Sequence, residues 1–423
     1  MASYKNFAGV VTASLSLVGV TVIVLAAAPA AGAASVSTEA ALRTAFDATS
    51  QTKIDLTANI NLTSCGTTAT TGDVDRNSGT NLVLDGHGFT LTQKCTGGNR
   101  DRVLDATGAG KLTVQNLTIK GGNMPSGQGS ANGGAIQYVG SGGLTVVNVV
   151  LDGNKADGGG GGITGDNSPL TITNSVISNN TVPSYGGAAE SNVSITVIGS
   201  RLIGNSGVGT LATDGLITVR NSEVSGNTGG GLFSGTGGVT VINSTVANNA
   251  PSPAIATDGP ITLVYATIVD NGGAQEAQVS GPSLDSFGSV IALPKSASTN
   301  CSIETTNSHG YNFSDEANCG FGSAAKHDRQ SAGNPGLSPL ANNGGSTRTR
   351  KPTGSSPLKN YIPAASCKND GASAITTDQV GTTRPQETKC EIGAFEVRAA
   401  ATTPPPPDTP PATPVETPPH LTG

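Results

Sequence analysis

The chain has 423 residues, a net charge of −6 and only 12 % charged residues, which excludes the high-charge, low-hydrophobicity make-up of intrinsic disorder. Glycine reaches 59 residues while aromatics fall to 3 % and tryptophan is absent, so a core built on large rings is excluded and a stack of small-residue repeats is favoured. No basic stripe is present to neutralise phosphates, which argues against nucleic acid as a partner.

Residues 1–33 read as a secretory signal. Lys5 gives a weakly positive start, an apolar run follows from Val10 to Ala28, and Ala31-Gly32-Ala33 supplies a small-residue cleavage site. The alternative is an uncleaved anchor, because the apolar run nearly reaches membrane-spanning length. After cleavage no transmembrane segment is expected, so the mature chain reads as secreted or cell-wall associated.

Residues 34–110 read as a cap and irregular first coils. Thr38 to Thr49 predicts a short amphipathic helix with Leu42, Ala45 and Phe46 on one face, suited to cover the open end of a solenoid. Ile54 to Leu62 and Leu82 to Leu91 then read as the first strands.

Residues 111–295 repeat. Related segments begin at Leu112, Leu144, Leu170, Ile195, Ile217, Val239 and Ile261, and their spacings settle from 32, 26 and 25 to a constant 22. The first and third residues of each unit are apolar, a period of two that specifies a strand. The eighth is apolar again, as Ile119, Leu151, Ile177, Leu202, Val224, Val246 and Ile268, on a second strand whose start is a small residue, often serine. Asn116, Asn148, Asn174, Asn221 and Asn243 stand between the two strands, where a sharp corner needs the left-handed conformation that asparagine tolerates. Asn154, Asn180, Asn205, Asn227, Asn249 and Asn271 are expected to close the units in the same way, and stacked asparagines to form amide ladders. Glycine-rich stretches such as Gly229-Gly230-Gly231-Leu232 supply a third strand. Three strands and three corners in about 22 residues make one turn of an all-β, right-handed parallel β-helix. Helical repeats need 10–12 residues of 3.6 periodicity, which these β-branched, glycine-punctuated units lack.

Residues 296–397 break the repeat and hold four of the six cysteines; residues 398–423 are a proline-rich tail. Six cysteines allow 15 pairings. They fall into sequence-local pairs, which predicts Cys65 with Cys95, Cys301 with Cys319, and Cys367 with Cys390.

The repeats resemble right-handed β-helix proteins common among secreted bacterial proteins, and the Gly-Gly-Ala-Ile and asparagine-rich repeats of polymorphic outer-membrane proteins. The segments NCSIETTNSHGYNFSDEANCGF, PLANNGGSTRTR and TTDQVGTTRPQETKCEIGAFEV resemble the choice-of-anchor Q region that follows such β-helices in bacterial surface proteins. That resemblance implies a secreted or surface location and no single activity, because the fold hosts lyases, hydrolases, adhesins and stalks.

No catalytic residue and no cofactor motif stand out. The lyase alternative needs clustered carboxylates with a basic residue, and no two neighbouring coils are expected to pair carboxylates with a free base. Asp214 and Asp258 occupy equivalent places two coils and roughly 10 Å apart, with Thr236 between them, and read as turn residues. Glu190 and Glu223 are the glutamates of the regular coils, and Arg201 with Glu223 reads as a surface ion pair. Asp73, Asp75, Asp101 and Asp105 offer either a calcium site or solvated loop charge. His87, His309, His327 and His420 are scattered, without metal-ligand spacing, and Tyr138, Tyr185, Phe233 and Tyr265 are too spread for a sugar platform. Thr113, Thr145, Thr171, Thr196, Thr218, Thr240 and Thr262 form an outward column. Such ladders occur on ice-binding β-helices, but the neighbouring outward position varies from Ile198 to Arg220, so strand propensity is the reading. The expectation is a monomeric, non-catalytic adhesin or binder of a surface or extracellular polysaccharide; the alternative is a polysaccharide lyase or glycoside hydrolase.

Overall fold

A computed structural model describes residues 32–399 apart from 67, 69, 128, 129, 274, 296, 297, 323 and 368–374. The predicted signal lies almost wholly outside the described residues, although Ala33 already belongs to the first strand, Ala33–Val36, paired with Lys53–Leu56. The tail beyond residue 399 also lies outside them.

The chain winds into a parallel β-helix. One face runs through Leu112–Gln115, Leu144–Val147, Pro169–Thr173, Ser194–Ile198, Leu216–Arg220, Val239–Ile242 and Pro260–Val264. The second face is a sheet of 11 strands from Ile60–Leu62 to Phe313–Ser314. The third runs from Val74–Asn77 through Leu104–Thr107, Ile136–Val139, Ile163–Asp166, Ala189–Ser191, Leu211–Thr213, Leu232–Ser234 and Ile255–Thr257. The register pairs like with like, as in Ile195 with Ile217, Ile217 with Val239 and Val239 with Ile261. The predicted inward columns, including Val146, Val219, Val224 and Val241, are fully buried in one continuous core from Val36 to Phe321.

Asparagine does two different jobs. Asn116, Asn148, Asn174, Asn221 and Asn243 take the left-handed conformation at the first corner, as expected. The second set does not. The left-handed residue there is the preceding one, Gly153, Asn179, Gly204, Gly226, Asn248 or Asp270. Asn154, Asn180, Asn205, Asn227, Asn249 and Asn271 instead point inward and are buried. From Asn154 to Asn249 each Nδ2 donates to the next Oδ1, for instance Asn205 to Asn227 at 3.1 Å and Asn227 to Asn249 at 2.8 Å, and Asn271 ends the ladder on Gln278 Oε1. A serine ladder accompanies it: the backbone N–H groups of Ser175, Ser200 and Ser222 donate to the Oγ of Ser200, Ser222 and Ser244. Both ladders satisfy polar groups at sharp corners that would otherwise be stranded in the core.

Helix α1, Glu39–Asp47, covers the front end with Leu42, Ala45 and Phe46 buried, and the Thr38 hydroxyl caps it by accepting from Ala41 N–H. The three predicted disulfides are formed. The segment after residue 324 folds back onto the flank of the last coils. Leu358, Ile362, Ile375 and Ile392 bury Tyr265, Phe287, Val290 and Phe313. Arg384 is fully buried there, 2.8 Å from Glu396 and 4.1 Å above the Tyr265 ring.

This packing corrects the expected surface ion pair. Arg201 does meet Glu223, at 3.0 Å, but Glu223 is completely buried. The Arg348 side chain covers it, with Nη2 2.5 Å and Nε 2.8 Å from Oε1, while Arg348 N–H donates to Oε2 at 2.9 Å. Burial alone would raise the Glu223 carboxyl; the Arg348 and Ser225 hydrogen bonds outweigh it and hold the group below its ordinary value.

Candidate functional site

Stacking brings together carboxylates that the sequence leaves 30 residues apart. At the front of the third face Asp75, between the inward-facing Val74 and Arg76, pairs in register with Asp105, between Leu104 and Ala106. Asp73 and Asp101 approach from the adjoining loops and are almost fully buried. One carboxylate oxygen each from Asp73, Asp75 and Asp105 lies within 4.8 Å of the others, a separation that a calcium ion with ligands at about 2.3–2.6 Å could bridge. The same space holds the Arg102 guanidinium, with Nη1 2.6 Å from Asp105 and Nε 3.7 Å from Asp73. Arg102 also donates to Gln137 and to the Ser130 carbonyl. Arg43 of helix α1 donates to the carbonyls of Gly72 and Asp73, tying the lid to this cluster. Asp75 Oδ2, Asp105 Oδ1 and Arg102 Nε are buried without a hydrogen-bond partner. Burial, with repulsion from Asp101 and Asp75, pushes Asp73 up to about 8; burial and Asp105 push Asp75 up to about 7. Neighbouring coils therefore do pair carboxylates beside an arginine, but Arg102 is engaged by Asp105, Asp73, Gln137 and Ser130 and is not a free base.

A second pair, Asp55 and Asp85, stacks in register on the first face. His87 joins it, its Nε2 2.6 Å from Asp55 and 3.9 Å from Asp85, so this histidine is not isolated as expected. Lys53 lies 2.7 Å from Asp55, and Gln115 and Asn116 donate to Asp85. These bonds explain the group as a ladder of corner contacts.

A groove opens in the middle of the third face. A cavity of about 530 Å³ is lined by Asp166, Tyr185, Glu190, Asp214, Phe233 and Asp258, among others. Tyr185 and Phe233 line this one cavity from different coils, whereas Tyr138 and Tyr265 are buried elsewhere, so the expected scatter of aromatics holds for only part of the set. Strand pairing aligns Ser234 with both Thr213 and Thr257. The residue between Asp214 and Asp258 is therefore Gly235 and not Thr236. Glu190 sits between Thr164 and Ala212 in the outward column. Its Oε2 is buried without a partner, in space left by Gly159, where a Cβ would come within 1.5 Å of that oxygen. Burial, then the negative charges of Asp166 and Asp214, raise Glu190 to about 7. The sequence signal for this groove was the pair of Ala-Thr-Asp-Gly segments; the link to Glu190 and Tyr185 needed the coil register.

Residues 33–155, the lid and front coils with the Asp73–Asp105 cluster, match a family model described as "Putative pectate lyase-like adhesive domain". The match spans under a third of the chain and ends before the groove. No curated protein and no solved structure matches the chain.

Proposed function

We propose that this chain is an exported β-helix that binds a surface or an extracellular polysaccharide and does not turn it over. The observation that carries this reading is the match of the lid and front coils to an adhesive domain. Further support comes from three disulfides, which suit an oxidising compartment. Among the described residues no helix is long and apolar enough to cross a membrane. Among the described residues no basic side chain lines the central cavity, which leaves it without the arginine or lysine base that lyase chemistry needs. Export by the N-terminal signal, a bacterial surface location and a monomeric state belong to the same proposal. The test is to add purified, fluorescently labelled protein to cells and to insoluble wall polymers. Saturable binding, competed by the unlabelled chain, supports the reading; no retention on any surface contradicts it.

One observation favours a second reading. Glu190, raised to about 7, lies in the field of Asp166 and Asp214, so one carboxyl could hold a proton while a neighbour is charged. Two carboxyls in unlike environments are the acid and base of a glycosidase. Release of new reducing ends that disappears in Glu190→Gln would establish that reading.

A further inference from the structure

The central groove has features that select a ligand class, and the inference drawn from them rests on the polymer-binding reading. Three cavities join along the third face. Phe233 and Ala256 are shared between the first and second, Thr257 and Asp258 between the first and third, and Ser280 and Ser302 between the second and third. The groove therefore runs along the solenoid axis across several coils, each advancing about 4.8 Å. A linear polymer can lie along it, whereas a small ligand would fill one cavity.

Exposed apolar side chains line it. The large hydrophobic side chains exposed among the described residues are Val150, Tyr185, Val193, Val208 and Leu216. Tyr185 and Val208 line the groove directly, while Val193 follows the lining residue Asn192 and Leu216 lies two positions after Asp214. All four belong to two successive coils, and Tyr185, the most exposed at 54 %, offers a ring for stacking. Such a concentration on an otherwise polar solenoid marks a contact surface.

Charge decides what can lie there. Asp166, Glu190, Asp214 and Asp258 line the first cavity, Glu276 the second and Glu304 the third, and among the described residues no lysine, arginine or histidine lines any of them. A polyuronate would bring a second row of carboxylates against the first. We propose that the groove binds a linear glycan bearing protonated amines, with sugar faces on Tyr185 and Phe233 and ammonium groups beside Asp214 and Asp258. The exposed apolar side chains favour a saccharide over a simple polycation, because charge alone would not use them.

The full chain is titrated calorimetrically with four probes: a β-1,4-glucosamine hexamer, its N-acetylated counterpart, oligogalacturonate and hexalysine. The glucosamine hexamer is expected to bind at least tenfold more tightly than the other three, with affinity falling as salt rises. Asp214→Asn with Asp258→Asn should weaken it at least tenfold and Tyr185→Ala several-fold, while Asp285→Asn on the first face should not. Preference for oligogalacturonate, or hexalysine binding as tightly as the hexamer, would overturn the assignment. Binding unchanged in the groove variants would also overturn it and leave the polymer-binding reading standing. No binding to any probe by protein that still coats cells overturns the groove assignment alone; if cells are not bound either, both fall.

Discussion

Glu223 has no exposed surface, and what keeps it charged comes from 125 residues further along the chain. Arg201 was visible as a partner from the 22-residue repeat; Arg348 was not, because no periodicity links the coils to the folded-back segment. Removing Arg348 leaves a buried carboxylate with only Arg201 and the Ser225 hydroxyl. Arg348→Ala should therefore cost about 3 kcal/mol in denaturant unfolding. A loss no larger than that of an ordinary surface arginine would show that Arg201 and Ser225 suffice. The front cluster makes the opposite electrostatic statement. Asp73 and Asp75 are raised by burial to about 8 and about 7, above an unfolded value of about 3.9. Protonation therefore favours the folded front: that stability is fully present below about pH 4 and is lost as pH rises through about 7 to 8. Hydrogen exchange at helix α1, which Arg43 ties to this loop, should be faster relative to the central coils at pH 8.5 than at pH 5.5, after correction for intrinsic rates. Asp75→Asn should flatten that difference; an unchanged profile would show that Arg102 fully compensates the cluster.

Strands and corners were the legible level. Alternation fixed which residues face inward, and the constant 22-residue spacing fixed the register, so the buried columns and the left-handed Asn116-type corners follow from the sequence. The second asparagine set forms the amide ladder expected of stacked asparagines but not the left-handed corner, which falls on the residue before, because an inward ladder residue and a turn residue leave the same mark in a repeat. Front-coil contacts were illegible for another reason. Asp75 and Asp105 are 30 residues apart in coils whose lengths still vary, so no spacing announces their pairing. The asparagine ladder can be tested directly. Asn227 Oδ1 accepts from Asn205 N–H and Nδ2, while its own Nδ2 donates to Asn249 and to the Leu202 carbonyl. Asn227→Ala strands several of these buried groups and should cost about 2–3 kcal/mol in thermal or denaturant unfolding. A near-neutral result would mean that water replaces the amide.

At the scale of the molecule, a rigid stack holds its termini differently. The front is closed by helix α1, and the rear coils are flanked by a segment braced through Cys367–Cys390 and buried against Tyr265 and Phe287. Between them the third face stays open, and it carries the groove with its aromatic lining and carboxylates. That arrangement suits holding a polymer along the solenoid. It also contains a carboxylate group that could cleave a polymer, Glu190 near Asp166 and Asp214. The most direct measurement is the chain length of a polysaccharide captured by the purified protein, followed by size separation and reducing-end assay over a prolonged incubation. Binding without turnover predicts saturable retention and an unchanged length distribution, in the wild type and in Glu190→Gln alike. Progressive shortening by the wild type that stops in Glu190→Gln would contradict the account and make this β-helix a glycosidase.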